Sequence, residues 1–483
     1  MSSSKTLYWH DYETFGAVPA VDRPVQFAGL RTDLDLNPVG EPLVIYAQPP
    51  RDCLPQPAAC LITGITPQLA QERGVTEAEF INTVLAELAA PGTCALGYNS
   101  LRFDDEITRY TLWRNLHDPY AREYKNGCSR WDLIDVVRTA YALRPDGITW
   151  PLREDGLPSF RLEDLAAANG LAHGQAHDAL SDVEATIAVA RLVREAQPRL
   201  YDYLFQHRSK QALQEQIDVK GMRPMLHVSG MFGAARANLG LVAPLMWHPT
   251  NRNELLCFDL SSDPGPLLAL PADQLRKLLY MRTADLPEGQ QRPGLKSVHI
   301  NRCPVLLPAR MADAAIAERA GLDGQLCRAH LAMLRDYRDQ SPGALDEKLQ
   351  FIAGNRDFPV STDPDRQLYA GFVPEDDRRL LETLRELGPA ELAGASAPFA
   401  DPRLEELLFR YRARNFPGSL TEDERQRWDT LRFQRITESD DPDRLDIEQF
   451  HAEIDALLAD PQCSDRDRSI LQSLQNWGDA LLV

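Results

Sequence analysis

The chain has 483 residues, a formal charge of −19 at neutral pH and 43% hydrophobic residues. This length predicts about two to four domains, and the composition excludes a wholly disordered or collagen-like chain. No apolar run reaches the roughly 18 residues of a membrane helix, and the first 16 residues lack the apolar segment of a secretory signal. The eight cysteines form no Cys-x-x-Cys pair, which disfavours a zinc ribbon or disulfide framework and predicts a reducing, cytoplasmic location.

The negative charge is unevenly distributed along the chain. Residues 1–200 contain 18 Lys and Arg against 27 Asp and Glu, and residues 356–483 contain 16 against 28. Residues 201–355, with 18 against 16, are the non-acidic third. The overall charge disfavours a nucleic-acid partner, although a strand of phosphates could follow the middle third. Ordinary variation of surface charge explains the same numbers, so charge alone leaves the question open.

The first 197 residues alternate strand and helix patterns. Strands are predicted in TLYWHDYET, PVQFAGLRTDL, EPLVIYAQP and CALGYNS. Helical spacing of apolar residues is found in TEAEFINTVLAELAA and over residues 105–116, 131–143, 161–168 and 178–196. This order predicts an α/β layer fold with a mixed sheet, which ends near Pro198.

The remainder of the chain has a different pattern. A helical stretch, RLYDYLFQHRSKQALQEQI, leads into the short strands MLHVSG, LGLVAPLMWHP, ELLCFDL and SVHINRCPVLL, which predict a small barrel or curled sheet. Further helices are predicted over residues 272–281, 311–320 and 325–352. A polar connection over residues 355–369 precedes a series of helical patterns from residue 374 onward, which predict an all-α domain.

Two carboxylates occupy alternate positions near the end of the first predicted strand. Asp11 and Glu13 in HDYETFG therefore point to the same face of the sheet. Charges among apolar neighbours need compensation, and Mg²⁺ suits them because it binds carboxylate oxygens while keeping waters and substrate phosphates. A solvated strand end is the alternative, and Asp-x-Glu alone is a common pattern.

Two further motifs carry an acidic residue or a histidine. Asp104 follows CALGYNS at a helix start, where an aspartate is also an ordinary cap. His177 precedes the helix that carries Asp182. Were both residues fully helical, they would lie about 140° apart around the axis, so His177 must lie in the preceding loop to reach a ligand held by Asp182. Each residue alone has a structural explanation, but chance agreement of all three motifs in this order is improbable.

The ordered set of Asp-x-Glu, Asn-x-x-x-Phe-Asp and His-x-x-x-x-Asp resembles the DEDD exonuclease superfamily, in the branch with a catalytic histidine. The resemblance implies that Asp11, Glu13, Asp104 and Asp182 bind two Mg²⁺ ions, with Mn²⁺ able to substitute, and that His177 deprotonates the attacking water. The chemistry is consistent with this. Two ions about 4 Å apart can clamp the attacking and leaving oxygens, and an imidazole with a pKa near 6.5 accepts a proton at neutral pH.

Other stretches resemble the bacterial exodeoxyribonuclease I family, from about residue 7 to about residue 434. They include LITGITP, GYNSLRFDDE, YALRPDGITWP, HVSGMFGA, WHPTNRN and LLFRYRARNFPGSL. The resemblance implies a ribonuclease-H-like exonuclease domain over residues 6–197, an SH3-like domain over 198–354 and a helical domain over 355–483. It also implies processive hydrolysis of single-stranded DNA from the 3′ end to 5′-mononucleotides, in repair and recombination. We expect the protein to be a monomer.

Candidate substrate residues mix cations with aromatic side chains, as a single-strand path needs. Glu13 borders the substrate, and Arg161 is placed to hold a phosphate near the site. Tyr12 and Phe15 flank the carboxylates and could stack on the terminal bases, although core packing explains both equally well. The rest of the expected path comprises Arg109, Tyr120, Tyr124, Arg130, Trp131, Arg138, Asn253, Lys296, His299, Asn301 and Arg302.

The resemblance also implies a protein partner. The family binds the acidic, apolar-ended C-terminal tail of the single-stranded DNA-binding protein, and such a tail needs a cation for its carboxylate and an adjacent apolar pocket. We expect the tail site in the non-acidic middle third, near its boundary with the nuclease domain, while the Arg-rich LLFRYRARNF helix is the alternative. The expected residues are Tyr203, Arg223, Arg328, Arg335 and Arg338.

Two other functions remain open from the sequence. A DEDD exonuclease acting on RNA 3′ ends would carry the same motifs, because the choice between RNA and DNA depends on contacts at the 2′ position. Such enzymes are usually little more than the nuclease domain, so residues 198–483 favour the DNA enzyme. A non-catalytic single-strand-binding scaffold is disfavoured by the intact metal ligands and His177.

Overall fold

The computed structural model describes residues 5–171, 178–287, 291–354, 361–438 and 441–482. These residues divide into two compact units. The first comprises the described parts of Met1–Arg130, His173–Ile187 and Pro359–Val483, and the second those of Trp131–Ala172 and Ala188–Phe358. In the described part of the chain, no helix combines the length and apolar character needed to cross a bilayer.

The N-terminal sheet has five strands: β1 (Thr6–Thr14), β2 (Pro24–Thr32), β3 (Leu43–Tyr46), β4 (Thr93–Gly97) and β5 (Ser129–Asp132). Their order is β3-β2-β1-β4-β5, so β1 is central. β1 pairs antiparallel with β2 and parallel with β4, and β2 pairs antiparallel with β3. The predicted mixed sheet is therefore confirmed. The regular pairing of β1 and β2 shifts between Glu13 and Thr14, where the strand ends.

Seven helices are described in the first 196 residues: α1 (Pro57–Thr63), α2 (Pro67–Arg73), α3 (Glu77–Leu88), α4 (Asp104–Arg114), α5 (Leu133–Leu143), α6 (Leu162–Ala168) and α7 (Ala179–Ala196). The last five match predicted helices closely. The first two were not predicted, because seven residues contain too few turns to show a periodic pattern. Each begins at a proline, whose fixed φ suits the first helical position.

The second sheet is antiparallel in all its described pairings and lies in the second unit. Its strands are β6 (Met225–Val228), β7 (Leu239–Trp247), β8 (Glu254–Asp259), β9 (Leu295–His299) and β10 (Val305–Pro308). The order β10-β6-β7-β8-β9 places β9 and β10 at opposite edges. The prediction of one strand in SVHINRCPVLL is wrong. The chain turns between these strands, and Cys303 has a left-handed φ of 46°.

The helices that accompany this sheet are α8 (Pro198–Gln206), α9 (Lys210–Gln216), α10 (Gly265–Ala269), α11 (Ala272–Tyr280), α12 (Ala314–Arg319), α13 (Gly324–Gln340) and α14 (Ala344–Ala353). A core containing Phe258, Leu275, Leu331 and Leu349 joins the sheet to α11, α13 and α14. The helical pattern over residues 325–352 is interrupted before α14, where Gly343 has a φ of 85° that favours glycine.

The C-terminal residues form the predicted all-α arrangement. Its helices are α15 (Glu375–Glu386), α16 (Arg403–Asn415), α17 (Glu422–Thr437), α18 (Ile447–Leu458) and α19 (Asp465–Leu481). α15 and α16 share an apolar cluster with Tyr110 and Trp113 of α4. α18 and α19 share another with Phe15 and Cys60. These contacts explain why the C-terminal helices belong to the same compact unit as β1.

A buried network of arginines and carboxylates connects α16 and α17 to the N-terminal part of the first unit. Arg414 Nη2 lies 2.7 Å from Asp52 Oδ2 and 2.6 Å from Asp365 Oδ2. Arg435 and Arg410 also contact Asp365, at 3.4 and 3.1 Å. Burial alone would raise the pKa of Asp365, but Arg414 and Arg410 hold this pKa well below its usual range. Asp365 is therefore a shared, charged partner of several buried guanidiniums.

Replacement of Asp365 by asparagine should destabilise the protein by about 3–5 kcal/mol, because it leaves buried guanidiniums without a counter-charge. Because the folded-state pKa is depressed, the stabilisation is present above the ordinary value of 3.8 and is lost as the pH falls below it. Denaturant unfolding at pH 7 and at pH 3 should therefore show a smaller loss at pH 3. Asp376→Asn, at a side chain that is 94% exposed, is the control, and an equal loss in both variants at pH 7 would contradict the network's importance.

Candidate metal centre and active site

Four carboxylates of the first unit surround the end of β1. The ligand oxygens of Asp11, Glu13 and Asp182 lie within 4.8 Å of one another. Asp182 lies in the first turn of α7. Asp104 is the first residue of α4, and its Oδ1 accepts a hydrogen bond from the Tyr12 backbone N–H at 3.2 Å. The structure thus brings together all four acidic residues that the sequence motifs indicated.

The alternation of side chains along β1 produces this arrangement. Asp11 and Glu13 share one face of the sheet, while Tyr12 points to the other. The Tyr12 ring packs at 4.9 Å from the Phe27 ring, and its hydroxyl lies 3.0 Å from Thr108 Oγ1 of α4. Tyr12 is 4% exposed and Phe15 is 5% exposed. Both rings therefore lie in the core, as expected if Tyr12 and Phe15 serve core packing.

Burial and mutual repulsion make this centre electrostatically unfavourable for four negative charges. Burial raises the pKa of Asp11 well above its usual range, and Asp104, Glu13 and Asp182 add to the effect. Burial raises the pKa of Glu13 to about 8, with further contributions from Asp182 and Asp104. Clustered carboxylate oxygens are the ligands that hard divalent cations prefer. A divalent cation therefore fits this donor set, because it would offset both the burial and the repulsion.

His177 lies outside the described residues. The adjoining chain is described from Asp178, whose Oδ2 accepts a hydrogen bond from the Ser181 backbone N–H at 3.3 Å. This contact stabilises the first turn of α7, the turn that holds Asp182. The histidine thus precedes, by two residues, the start of a helix that carries a candidate metal ligand.

The predicted DNA-path residues of the first unit lie along α4 and the loop after it. Arg109 is 4% exposed, donates to Glu106 and Glu123 at 2.7 Å, and lies 5.5 Å from the Tyr120 ring centroid. Arg130 is also buried and pairs with Glu123 at 2.8 Å. Tyr124, by contrast, is 62% exposed. The two arginines therefore satisfy buried acids, whereas Tyr124 offers an accessible aromatic ring.

Aromatic residues near Arg109 were missed by the sequence reasoning. Arg109 Nη1 donates to the Tyr369 hydroxyl at 3.2 Å, and Tyr369 in turn donates to Glu106. Phe372 is 87% exposed, with its ring 6.3 Å from that of Tyr120. The available signal was the pair of aromatics in QLYAGF, at the end of a segment interpreted as a polar connection.

The predicted path residues of the second unit begin with those that lie close to its helices. Arg161 precedes α6, its side chain is 69% exposed, and it pairs with Glu163. Arg138 pairs with Asp135 at 2.9 Å. Trp131 is buried against the rings of Tyr201 and Phe205. Arg161 is the most exposed of these three path residues.

Other path residues of the second unit lie on or beside β9. Lys296 Nζ lies 3.6 Å from the Phe232 ring centroid, and Asn253 Oδ1 accepts a hydrogen bond from Lys210 Nζ at 2.6 Å. The Arg302 backbone N–H donates to the carbonyl of His299, the last residue of β9, at 3.0 Å. Asn301 lies in the turn after β9. The second sheet therefore keeps these polar residues together at one edge.

The predicted tail residues have separate environments within the second unit. The Tyr203 ring stacks on that of His207 at 4.0 Å. Arg335 donates to the Gly221 carbonyl at 2.7 Å and Arg338 donates to the Leu245 carbonyl at 2.8 Å, so both support the backbone. Arg223, which pairs with Asp218 at 3.3 Å, is exposed, as are Arg328 and Arg335 on α13, whereas Arg338 is half-buried. Sequence reasoning missed Arg310, whose charge acts on the Tyr203 hydroxyl.

Comparison with known proteins gives consistent matches along the whole chain. Family models described as Exonuclease, Exonuclease I SH3-like domain and Exonuclease I C-terminal domain match residues 8–190, 208–351 and 362–481. Exodeoxyribonuclease I of Escherichia coli K12 is 47% identical over 478 residues, which cover 99% of this chain and 98% of that protein.

Solved structures of exonuclease I also resemble this chain over its full length. The zinc-bound form of an E. coli exonuclease I complex with single-stranded DNA has a TM-score of 0.94 and 46% identity, covering 100% of both chains. A structure of SSB and exonuclease I with an inhibitor has a TM-score of 0.91 and 45% identity, covering 99% of this chain and 100% of that chain.

The mixed sheet and its carboxylate centre define an exonuclease, and the matching exonuclease model spans the residues that form them. The chain belongs to the exodeoxyribonuclease I family, as the motifs predicted. Its architecture is accordingly an exonuclease domain with a mixed sheet, an SH3-like domain and a C-terminal helical domain. The protein is therefore an enzyme of the nuclease class, and its clustered carboxylates could hold a metal ion.

In a chelating buffer, Glu13→Gln should raise the melting temperature by a few degrees, because it removes one repelling charge from a buried cluster. The folded-state pKa of Glu13, about 8, exceeds its ordinary value of 4.5, so the stability that protonated Glu13 contributes is lost as the pH rises through 8. The advantage of the variant should therefore be larger at pH 8.5 than at pH 5. Thermal unfolding measures both values, and a less stable variant at pH 8.5 would contradict the repulsion.

Proposed function

We propose that this protein is a metal-dependent exonuclease that degrades single-stranded DNA processively from the 3′ end and releases 5′-mononucleotides. The carboxylate cluster at the end of β1 carries the proposal, in a chain that matches exodeoxyribonuclease I over its full length. The solved E. coli complex with single-stranded DNA supports the choice of substrate. We further propose a cytoplasmic monomer that acts in repair and recombination, with domains over residues 6–197, 198–354 and 355–483.

Each catalytic residue has a defined task in this proposal. Asp11, Glu13, Asp104 and Asp182 would hold two Mg²⁺ ions, for which Mn²⁺ can substitute. When bound, such ions supply Lewis acidity to the phosphodiester and lower the pKa of a coordinated water. Asp104 is oriented by its hydrogen bond from the Tyr12 backbone. The rigid central strand and two helix starts therefore fix the ligands before any ion binds.

Proton transfer is assigned to His177. An imidazole with an ordinary pKa near 6.5 is largely neutral at pH 7.5 and can accept a proton from the attacking water. Its sequence position, two residues before α7, is close along the chain to Asp182. A loop position before the helix would let the side chain approach a water at the metal centre.

Substrate binding is assigned to exposed cations and aromatics in both units. Tyr124 offers a stacking surface in the first unit, while Arg161 offers an accessible guanidinium in the second. The buried guanidinium of Arg109 packs against the Tyr120 ring, so Arg109 supports that ring and does not contact a phosphate directly. The remaining proposed contacts are Glu13, Arg138, Asn253, Lys296, His299 and Arg302, whereas the buried rings of Tyr12 and Phe15 are assigned to the core. Stacking of bases is tolerant of sequence, which suits an enzyme that removes every nucleotide in turn.

The RNA-end and scaffold alternatives are not favoured. The match continues through the SH3-like and C-terminal models, well beyond the nuclease part that an RNA-end enzyme would need. The four carboxylates are also positioned together rather than dispersed, which a relic site would not require. The remaining question for experiment is the polarity and substrate preference of the enzyme.

The test uses oligonucleotides labelled internally and blocked at either the 3′ or the 5′ end. Single-stranded DNA blocked at the 5′ end should yield mononucleotides in Mg²⁺, whereas a 3′ block or a chelator should prevent cleavage. Blunt duplex should be degraded far more slowly, because melting costs on average about 1.4 kcal/mol per base-pair step. Asp11→Asn and Asp182→Asn should abolish cleavage without unfolding. Cleavage of the 3′-blocked strand, or faster cleavage of RNA, would refute the assignment.

His177→Ala should slow cleavage by roughly 10²–10⁴-fold, as removal of a general base does, with little change in the affinity for single-stranded DNA. The pH–rate profile of the variant should lose its lower limb, because the group that must be deprotonated is gone. His207→Ala, a histidine stacked on Tyr203 in the second unit, serves as the control. An unchanged rate for His177→Ala would contradict the role of His177 as general base and would mean that the metal alone activates the water.

We also propose that the second unit binds the acidic tail of single-stranded DNA-binding protein, as supported by the solved complex of SSB with exonuclease I. Tyr203 would provide the apolar contact, and exposed Arg223 and Arg328 the charges. Arg335 and Arg338 would shape the site, since both already bind backbone carbonyls. This division of tasks separates residues that contact the tail from residues that hold the surface in place.

A labelled tail peptide should bind with micromolar affinity that weakens as salt is added, because the carboxylate contacts are screened. Arg223→Ala and Arg328→Ala should each weaken binding several-fold. Arg379→Ala, at a guanidinium that is 70% exposed on α15, is the control. Undiminished binding in both tail variants would move the site elsewhere, and variants of the Arg-rich α16 would then be compared.

A further inference from the structure

A cavity of about 580 Å³ lies in the first unit, between the segments around β2 and α3 and the helices α16, α17 and α19. None of the four metal-site carboxylates lines it. We call it the arginine cavity, because five guanidiniums contribute to its wall. Its volume is within the range of pockets that bind small molecules. The arginines are Arg23, Arg51, Arg414, Arg425 and Arg432.

The wall of the arginine cavity is rich in arginine, although Arg414 is already paired with Asp52 and Asp365, which lie outside the lining. Against the five guanidiniums, the lining contains two carboxylates, Glu77 and Asp429. Arg432 pairs with Asp429 at 2.9 Å, whereas Arg425 pairs with Glu422, which lies outside the lining. A concave surface lined by one sign of charge concentrates ligands of the opposite sign. The cavity is therefore suited to an anion.

Arg23 contributes a buried guanidinium to the wall of this cavity. Its side chain is 4% exposed, and its nearest carboxylate oxygens, on Glu77 and Asp365, lie at 3.6 and 3.5 Å. Both distances exceed the range of roughly 2.7–3.2 Å that is usual for N–H···O hydrogen bonds in proteins. Nε and Nη1 of Arg23 have no hydrogen-bond partner among the described residues. These two nitrogens have almost no accessible surface, so the accessible donors for a phosphate are the guanidiniums of Arg51 and Arg425.

Two indoles line the same cavity. Trp428 is 8% exposed, and Trp477 has a buried Nε1 without a hydrogen-bond partner in the part of the chain that the structure describes. Indole rings stack on flat heterocycles. Gln48 and Gln71 add neutral polar groups to the lining. The wall thus combines partners for a phosphate with partners for a flat, polar ring.

We propose that the arginine cavity is a second ligand site, which binds a nucleoside 5′-monophosphate apart from the metal centre. The phosphate would contact the Arg51 and Arg425 side of the wall, and the base would lie against the indoles. A dianionic ligand of this size suits two accessible guanidiniums. This ligand class is also the product of the proposed reaction, but the cavity's chemistry is independent of whether the metal centre cleaves DNA.

Two neighbouring arginines of α17 provide a matched pair of variants. The Arg425 side chain is 55% exposed and pairs with Glu422, while the Arg427 side chain is 58% exposed and pairs with Glu406. Arg425 lines the cavity and Arg427 does not. Arg51→Ala is a second cavity variant, at an exposed loop position where loss of folding is not expected.

Calorimetric titration of dAMP into the full-length protein tests the proposal, with a chelator present so that nucleotide cannot bind through metal. One dAMP should bind, Arg425→Ala and Arg51→Ala should each weaken binding about tenfold, as loss of a charged hydrogen-bond partner does, and Arg427→Ala should bind normally. Absent binding, or equal affinity in all variants, would overturn the proposal.

Inorganic phosphate and deoxyadenosine, titrated under the same conditions, separate the contributions of the two ligand parts. Both should bind more weakly than dAMP, and equal affinity for phosphate would overturn the role of the indoles. Asp11→Asn should bind dAMP like the unmodified protein. If the unmodified protein binds dAMP but cleaves no DNA, the proposed function fails while the cavity assignment stands.

Discussion

The placement of several carboxylates in a largely buried pocket is the constraint on which the active site depends. Ionisation of both Asp11 and Glu13 beside Asp182 and Asp104 is unfavourable, because burial and repulsion both raise their pKa values. The fold maintains the cluster because its ligands come from a central strand and two helix starts, which are held by their own packing. The packed framework thus holds together carboxylates that repel one another, and a bound cation would offset that repulsion.

The C-terminal helices are held by buried carboxylates that are paired with arginines, in contrast to the mutually repelling carboxylates at the end of β1. Around Asp365 and Asp52, buried charges are compensated within the protein by Arg410, Arg414 and Arg435. These pairs depress carboxylate pKa values instead of raising them, so the network needs no ion. Because the same unit also shares apolar clusters between α4 and α16, the C-terminal helices are part of the structure that supports β1. One unit therefore contains both a self-compensated and an uncompensated group of buried acids.

The sequence predicted the mixed sheet, the all-α C-terminal part and the proximity of the four carboxylates, since these features depend on local periodicity and on motif order. It did not predict α1 and α2, which are too short to show a period, or the turn that separates β9 from β10. It also could not distinguish Arg335 and Arg338, which bind backbone carbonyls, from Arg223, which pairs with Asp218. The role of an arginine depends on partners that are distant in the sequence, and no local sequence pattern identifies those partners.

The same limit explains why a net charge of −19 is a poor guide to the ligands of this chain. Many of its arginines pair with acids of the same chain, as Arg109 and Arg130 show, and its clustered acids Asp11, Glu13 and Asp182 could hold a cation. What remains for an anionic ligand is local: a few exposed cations, aromatic faces and one arginine-lined cavity among the described residues. Binding of a polyanion by an acidic protein therefore requires no reversal of its overall charge, because screening confines exposed charges to about 8 Å at physiological salt. Within that distance, the arrangement of neighbouring side chains affects ligand binding more than the net charge of the chain does.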